Sequence, residues 1–283
     1  MSNLSEKKRR VLFVTAIIFA VIGVVYEFAF SGRISSPPDS EMIDSAITRF
    51  VGSVAIACLL PSFGYKVFNK PSAFAVLSVL SCFAAVICNP PLIGLFLGDA
   101  EIIYGESYRF LLFAAECLAT AIFEELLFRA ILFPAILEKR RQTSVRIFLS
   151  VIVSSAIFAL VHLLNLFAGA GIGAVAMQIG YSFLIGGLCS FALLKTGNVA
   201  FCVLLHAAFN FTGTLVERLG VGGWGGLPTV FITLAVALPV AVYVVYSLIK
   251  PPVSGGSLVW HDDCGLLYKP TRKIPLQAKN TPP

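Results

Sequence analysis

Apolar positions in this chain gather into eight long blocks separated by short polar stretches. The blocks cover about 11–30, 47–68, 73–98, 109–137, 147–167, 174–194, 198–216 and 230–249. Each is close to the ~20 residues that a helix needs to cross a bilayer. The pattern predicts an all-α, polytopic membrane helix bundle of about eight transmembrane helices. Residues 1–250 form its membrane domain, whose candidate chemistry falls over about 109–216, and 251–283 form a cytoplasmic, poorly ordered tail rich in Pro and Gly. Within the third block, Asn89-Pro90-Pro91 predicts a kink or a broken turn, because proline removes a backbone donor and clashes with the preceding turn.

Composition agrees with the blocks. The chain is 58% hydrophobic and only 13% charged, whereas a soluble domain is nearer half apolar and a quarter charged. Its net charge of +6 would suggest nucleic acid in a soluble protein. Here the cations sit in particular loops, and no nucleic-acid partner is expected. Lys7 to Arg10, Lys66, Lys70, Lys139 to Arg141, Arg146, Lys195 and Lys250 all fall on one side of an eight-helix topology. Most acids of the loops fall on the other side, with Arg33 and Arg218 as exceptions and Arg49 and Arg109 near outer helix ends. By the positive-inside rule both termini are cytoplasmic, in the cell (inner) membrane. A secretory signal over the first block is disfavoured, because its apolar region should be about 7–15 residues. The seven cysteines show no CxxC or metal spacing, so neither a disulfide framework nor a cysteine metal site is read.

The fourth block carries unusual chemistry. Phe123-Glu124-Glu125-Leu126-Leu127-Phe128-Arg129 puts two acids and an arginine in an apolar run, where each charge costs roughly 2.5–3.5 kcal/mol or more at the bilayer centre. Glu125 and Arg129 stand four apart and can pair on one helix face. Glu124 is turned about 100° away and needs another explanation.

Two of the three histidines also fall inside blocks, His162 in the fifth and His206 in the seventh. The four-residue spacing sets Phe158 with His162, and His206 with Asn210, on shared faces. Counted from Lys139, Arg146 and Lys195, residues Glu124, His162 and Asn210 lie 15, 16 and 15 positions into their helices. At ~1.5 Å per residue these groups reach a common depth of ~22–24 Å, with His206 at ~16 Å. A carboxylate, two imidazoles and a carboxamide at similar depth suit hydrolysis. Glu124 or His162 is fit to take a proton from water, and His206 and Asn210 to bind an oxyanion. The same atoms also allow a divalent metal such as zinc on Glu124, His162 and His206, with water in the open position. The HExxH spacing is absent, so metal-bound and metal-free mechanisms both stay open.

Other polar residues carry weaker signals. Glu116, two turns before Glu124, reads as a cavity or packing group, and Glu27 as an interfacial one. Asn165 reads as a helix cap that is also able to orient His162. Ser154, Ser155, Ser182 and Cys189 are nucleophiles only in principle, since small polar residues are common at membrane helix contacts. Gly186-Gly187 permits close helix approach, and the Gly220–Gly226 loop reads as flexible linkage.

Glu124-Glu125-x-x-x-Arg129, Phe158-x-x-x-His162 and His206-x-x-x-Asn210, in that order, resemble the three motifs of the type II CAAX prenyl endopeptidase and bacteriocin-processing (CPBP, or Abi) family. The resemblance implies a membrane-embedded peptidase acting on a membrane-associated protein or peptide. It assigns water activation to Glu124 and His162, and the oxyanion or metal site to His206 and Asn210. Glu125 and Arg129 become the second acid and the arginine of the first motif. The family is described both as metalloproteases and as glutamate-dependent, and it includes immunity proteins and scaffolds. A non-catalytic scaffold or bacteriocin-immunity-type protein is therefore the alternative. A small proton-coupled transporter is disfavoured by the lack of a visible repeat.

Overall fold

The structure, a computed structural model, describes residues 39–103, 106–138, 143–223 and 226–249, four isolated positions before Asp39, and the backbone of two strands in the tail. Apart from those four positions, the first apolar block lies outside the described residues, as do the loop with Pro37-Pro38, Glu27, Arg33, Lys139 to Arg141 and Lys250. The other seven blocks are helical. They form α1 (Ser40–Phe63), α2 (Ala73–Ile87), α3 (Pro90–Leu97), α4 (Tyr108–Leu127), α5 (Phe133–Glu138), α6 (Ser144–Val161), α7 (Ile172–Thr196), α8 (Val199–Leu219) and α9 (Leu227–Ile249). A π-helical turn, Phe128–Leu132, joins α4 to α5, and a 3-10 turn, His162–Leu166, extends α6.

Among the described residues five helices are long and apolar enough to cross a bilayer, and the bent pair α2–α3 makes a sixth. The fourth block is helical too, but its charges set it apart from an ordinary lipid-facing span. The bundle is thus an integral membrane protein, with eight helices as an approximate count. Large side chains such as Phe74, Phe96 and Phe231 are exposed around its perimeter, as expected where the surrounding medium is hydrocarbon.

The break in the third block falls at the Asn-Pro step, and the two halves are bent by 62°. Asn89 caps the new helix by accepting from the Leu92 amide, with Pro90 in its first turn. Its side-chain amide donates to Thr212 Oγ1 of α8 at 2.6 Å, so the break is tied to the helix that carries His206.

Pairing between loops defines the two ends of the bundle. At one end, Val199 N donates to Val67 O and Asn198 Nδ2 to Asn69 O, joining the loops after α1 and α7. At the other, β1 (Ala100–Ile102) pairs antiparallel with β2 (Gly220–Gly222). The stretch read as flexible linkage therefore begins as a strand. Glycine is required there: a Cβ on Gly220 would sit 2.5 Å from Glu101 O, and Gly222 has φ +115° with Ala100 Cα 2.6 Å from a Cβ position. In the tail, β3 (Gly256–His261) pairs antiparallel with β4 (Gly265–Pro270).

Three of the arginines that broke the charge rule pair with carboxylates. Arg109 Nε reaches Asp39 Oδ1 at 2.8 Å, and Arg218 bridges Glu41 (2.9 Å) and Glu116 (3.2 Å). Arg49 pairs with Glu124 deeper in the bundle. Beneath the outer pairs lies a small apolar cluster of Met42, Phe113, Cys117, Leu215 and Leu219. The main core, around Phe123, Ile131, Phe158, Cys189 and Leu205, fills the middle.

Candidate active site

Glu124 and Glu125 end α4 just before the π turn, a feature that recurs at functional sites. Their side chains diverge as the helical spacing requires. Glu125 points into the core with no exposed surface, and its Oε2 lies 3.2 Å from Arg129 Nε, which is equally buried. The angle is too poor for a hydrogen bond, and the guanidinium makes none among the described residues. It lies instead over the Phe158 ring, 4.4 Å from the centroid, a contact worth ~2 kcal/mol when desolvated. Gly186 of α7 makes room for it, since a Cβ there would come 3.1 Å from Arg129 Nη2 and 3.2 Å from Ser155 Cα.

Glu125 also reaches across to α8. Its Oε1 accepts from His206 Nδ1 at 2.8 Å. A carboxylate can only accept, so Nδ1 carries hydrogen and the opposite nitrogen, Nε2, is turned toward Glu124 Oε2 at 3.7 Å. Glu124 Oε1 accepts from Arg49 Nη1 at 3.0 Å. The result is a continuous chain, Arg49–Glu124–His206–Glu125–Arg129, crossing α1, α4 and α8.

His162 stands where α6 gives way to the 3-10 turn. Its Nδ1 is 3.1 Å from Phe158 O, which can only accept, so that nitrogen is the donor and Nε2 is not used in this contact. The Phe158 ring meets both imidazoles edge-on, at 5.3 Å from His162 and 5.7 Å from His206. One buried aromatic thus spaces the two histidines and supports Arg129 from its face.

These groups open onto a cavity of about 450 Å³, which Glu124, His162, His206, Asn210, Phe158 and Arg49 all line. The four residues singled out in the sequence are brought to one space. Glu125 and Arg129 lie behind the wall and support it. Ser182 reaches the cavity as well. Ser154, Ser155 and Cys189 are buried in the helix packing. Glu116 is buried beside Arg218. Asn165 Nδ2 donates to Gln178 Oε1 at 2.6 Å, closing the cavity rim with α7. Arg49 is the residue that sequence reasoning missed.

The expected metal ligands do not make a metal-holding group in this arrangement. No three His, Cys, Asp or Glu side chains among the described residues are placed to bind one ion. Glu124 Oε1 is committed to Arg49 and His206 Nδ1 to Glu125, and a cation placed beside Glu124 would compete with the guanidinium. The metalloprotease reading finds no support in this donor set.

Membrane-spanning helices and a shared cavity define the class as a polytopic membrane protein whose largely apolar cavity is lined at one place by Glu124, His162, His206 and Asn210. Residues 106–212 match the family model described as Rce1-like, Type II CAAX prenyl endopeptidase Rce1-like. That segment is less than half of the chain, and over it the chain is similar to the CPBP family of CAAX-type proteases, the likeness that its three motifs suggested. Neither the curated proteins nor the solved structures gave a match to this chain.

Proposed function

We propose that the protein is an intramembrane endopeptidase that hydrolyses a peptide bond in a membrane-associated protein or peptide, with Glu124 and His162 activating water. The observation that carries this reading is the meeting of Glu124, His162, His206 and Asn210 around one cavity inside the matched domain. Water held between Glu124 Oε2 and His162 Nε2 loses a proton to one of them as its oxygen attacks the scissile carbonyl carbon. The oxyanion that forms takes hydrogen bonds from Asn210 Nδ2 and from His206 Nε2, on two residues that line the same cavity. When the tetrahedral intermediate collapses, the C–N bond breaks and the abstracted proton passes to the leaving amine. The products are a new carboxylate and a new amine.

No step needs a bound ion, and the arginine on Glu124 fits a metal-free route. We place the protein in the cell membrane with both termini cytoplasmic, the orientation that the loop charges favour. The test uses the full chain in liposomes with membrane-anchored peptide reporters, prenylated and unprenylated. Glu124→Ala and His162→Ala should each lower cleavage by at least about 10³-fold while insertion stays normal. Full activity in either variant refutes the assignment.

A further inference from the structure

Glu124 belongs to the matched domain, but its guanidinium partner does not. Arg49 lies on α1, well before residue 106, and its Nη1 donates to Glu124 Oε1 at 3.0 Å across 75 positions of sequence. Both side chains are mostly sheltered, 19% and 16% exposed, and both face the cavity. The fold is built for this approach. Three residues beyond Arg49, a Cβ on Gly52 would come 2.6 Å from the Phe123 ring, so only glycine lets α1 lie this close to α4 at the level of Glu124. Phe123 in turn lies under the guanidinium, 5.8 Å from Cζ to its centroid.

A carboxylate has two oxygens, and this arrangement gives them different tasks. Oε1 is anchored by Arg49, and Oε2 is turned to the space beside His206 Nε2. A base that swings freely in a cavity loses the alignment that proximity provides, and a misplacement of ~1 Å can cost ~10²-fold in rate. We infer that Arg49 is a positioning residue of the reaction: it fixes Glu124 from outside the matched domain, so α1 is part of the active site. This rests on the proteolytic reading above.

Two experiments on the full chain test it. In the first, steady-state cleavage by Arg49→Met should show kcat reduced about 10- to 100-fold with KM within about threefold. Arg49→Lys should restore most of kcat, since a shorter cation still reaches the carboxylate. An unchanged kcat, or a raised KM with kcat preserved, overturns the inference, the latter because it places Arg49 on the substrate. If Arg49→Met does not insert, Arg49→Gln takes its place with the same expectations. The second is a melting-temperature cycle in detergent. Arg49→Met should lower the melting temperature of the wild-type chain by more than it lowers that of Glu124→Gln, where the charge that the guanidinium meets at 3.0 Å is gone. Equal losses in both backgrounds overturn the coupling. A wild-type chain that cleaves no reporter defeats the proteolytic reading and this catalytic role with it, and the melting cycle still decides separately whether Arg49 holds Glu124.

Discussion

Two sets of acid–arginine pairs tie α1 to α4 and α8, and they do different things. The outer set joins Asp39 to Tyr108 and Arg109, and Glu41 and Glu116 to Arg218. The inner set runs Arg49–Glu124–His206–Glu125–Arg129. In the outer set the Arg218–Glu41 pair is open to solvent, 35% and 65% exposed, where a high dielectric and side-chain entropy leave it worth little, while Asp39 and Glu116 are more sheltered. In the inner set Glu125 and Arg129 are fully buried, and an imidazole stands between two carboxylates. Similar residues thus act as fastenings in one place and as a sheltered chain running through an imidazole in the other. Burial and the interposed histidine make the difference, not residue type.

Stability measurements on the full chain in detergent break the comparison most sharply at Glu125. Glu125→Ala removes the partner of Arg129 and the acceptor for His206 together, so it should cost ~3–5 kcal/mol, the penalty for orphaning a buried charge. Next comes Gly186→Ala. Alanine is the better helix former by ~1 kcal/mol, but here the new methyl meets Arg129 and Ser155. The net result should be a loss of ~1–3 kcal/mol from overpacking, read as a lower melting temperature. Glu41→Ala in the outer set should cost no more than ~1 kcal/mol, because Glu41 is 65% exposed.

The smallest effect concerns pH. The Tyr108 hydroxyl, and then Arg109, hold the Asp39 carboxyl below its usual range. A depressed carboxyl contributes stability that is present above its unfolded value of ~3.9 and is lost as pH falls through the folded value. Melting temperature should therefore drop on acidification below about pH 4 by slightly more in wild type than in Asp39→Asn. Identical acid profiles would show that the clamp contributes nothing measurable.

Much of this was legible in the sequence, for physical reasons that can be named. Blocks of apolar residues translate directly into spans, because lipid offers the backbone no partners and a helix supplies its own. Asn89-Pro90 marked the break, and the four-residue spacing of Glu125 and Arg129 gave their pairing. Counting from the loop cations placed Glu124, His162 and Asn210 at one depth, and all three line the cavity. Arg49 is hidden in the sequence because the apolar block begins at about 47, which sets it at a helix end. The helix starts at Ser40, with a polar first turn that hydropathy does not register, so Arg49 lies roughly 14 Å along it. The π turn after Leu127 and the strand at Gly220 depend on contacts between distant segments, and local pattern does not encode them. The metal alternative stayed open because residue types alone do not show which oxygen or nitrogen is already engaged. The commitments of Glu124 to Arg49 and of His206 to Glu125 needed coordinates.

The central claim, that Glu124 turns cavity water into the nucleophile, is tested most directly by following the oxygen. Reconstituted full chain should cleave a membrane-anchored reporter in water enriched in oxygen-18, and mass spectrometry should find one labelled atom in the newly formed carboxyl terminus. Glu124→Gln, inserted equally well, should yield no labelled product. Labelled product at wild-type rate from Glu124→Gln would contradict the account.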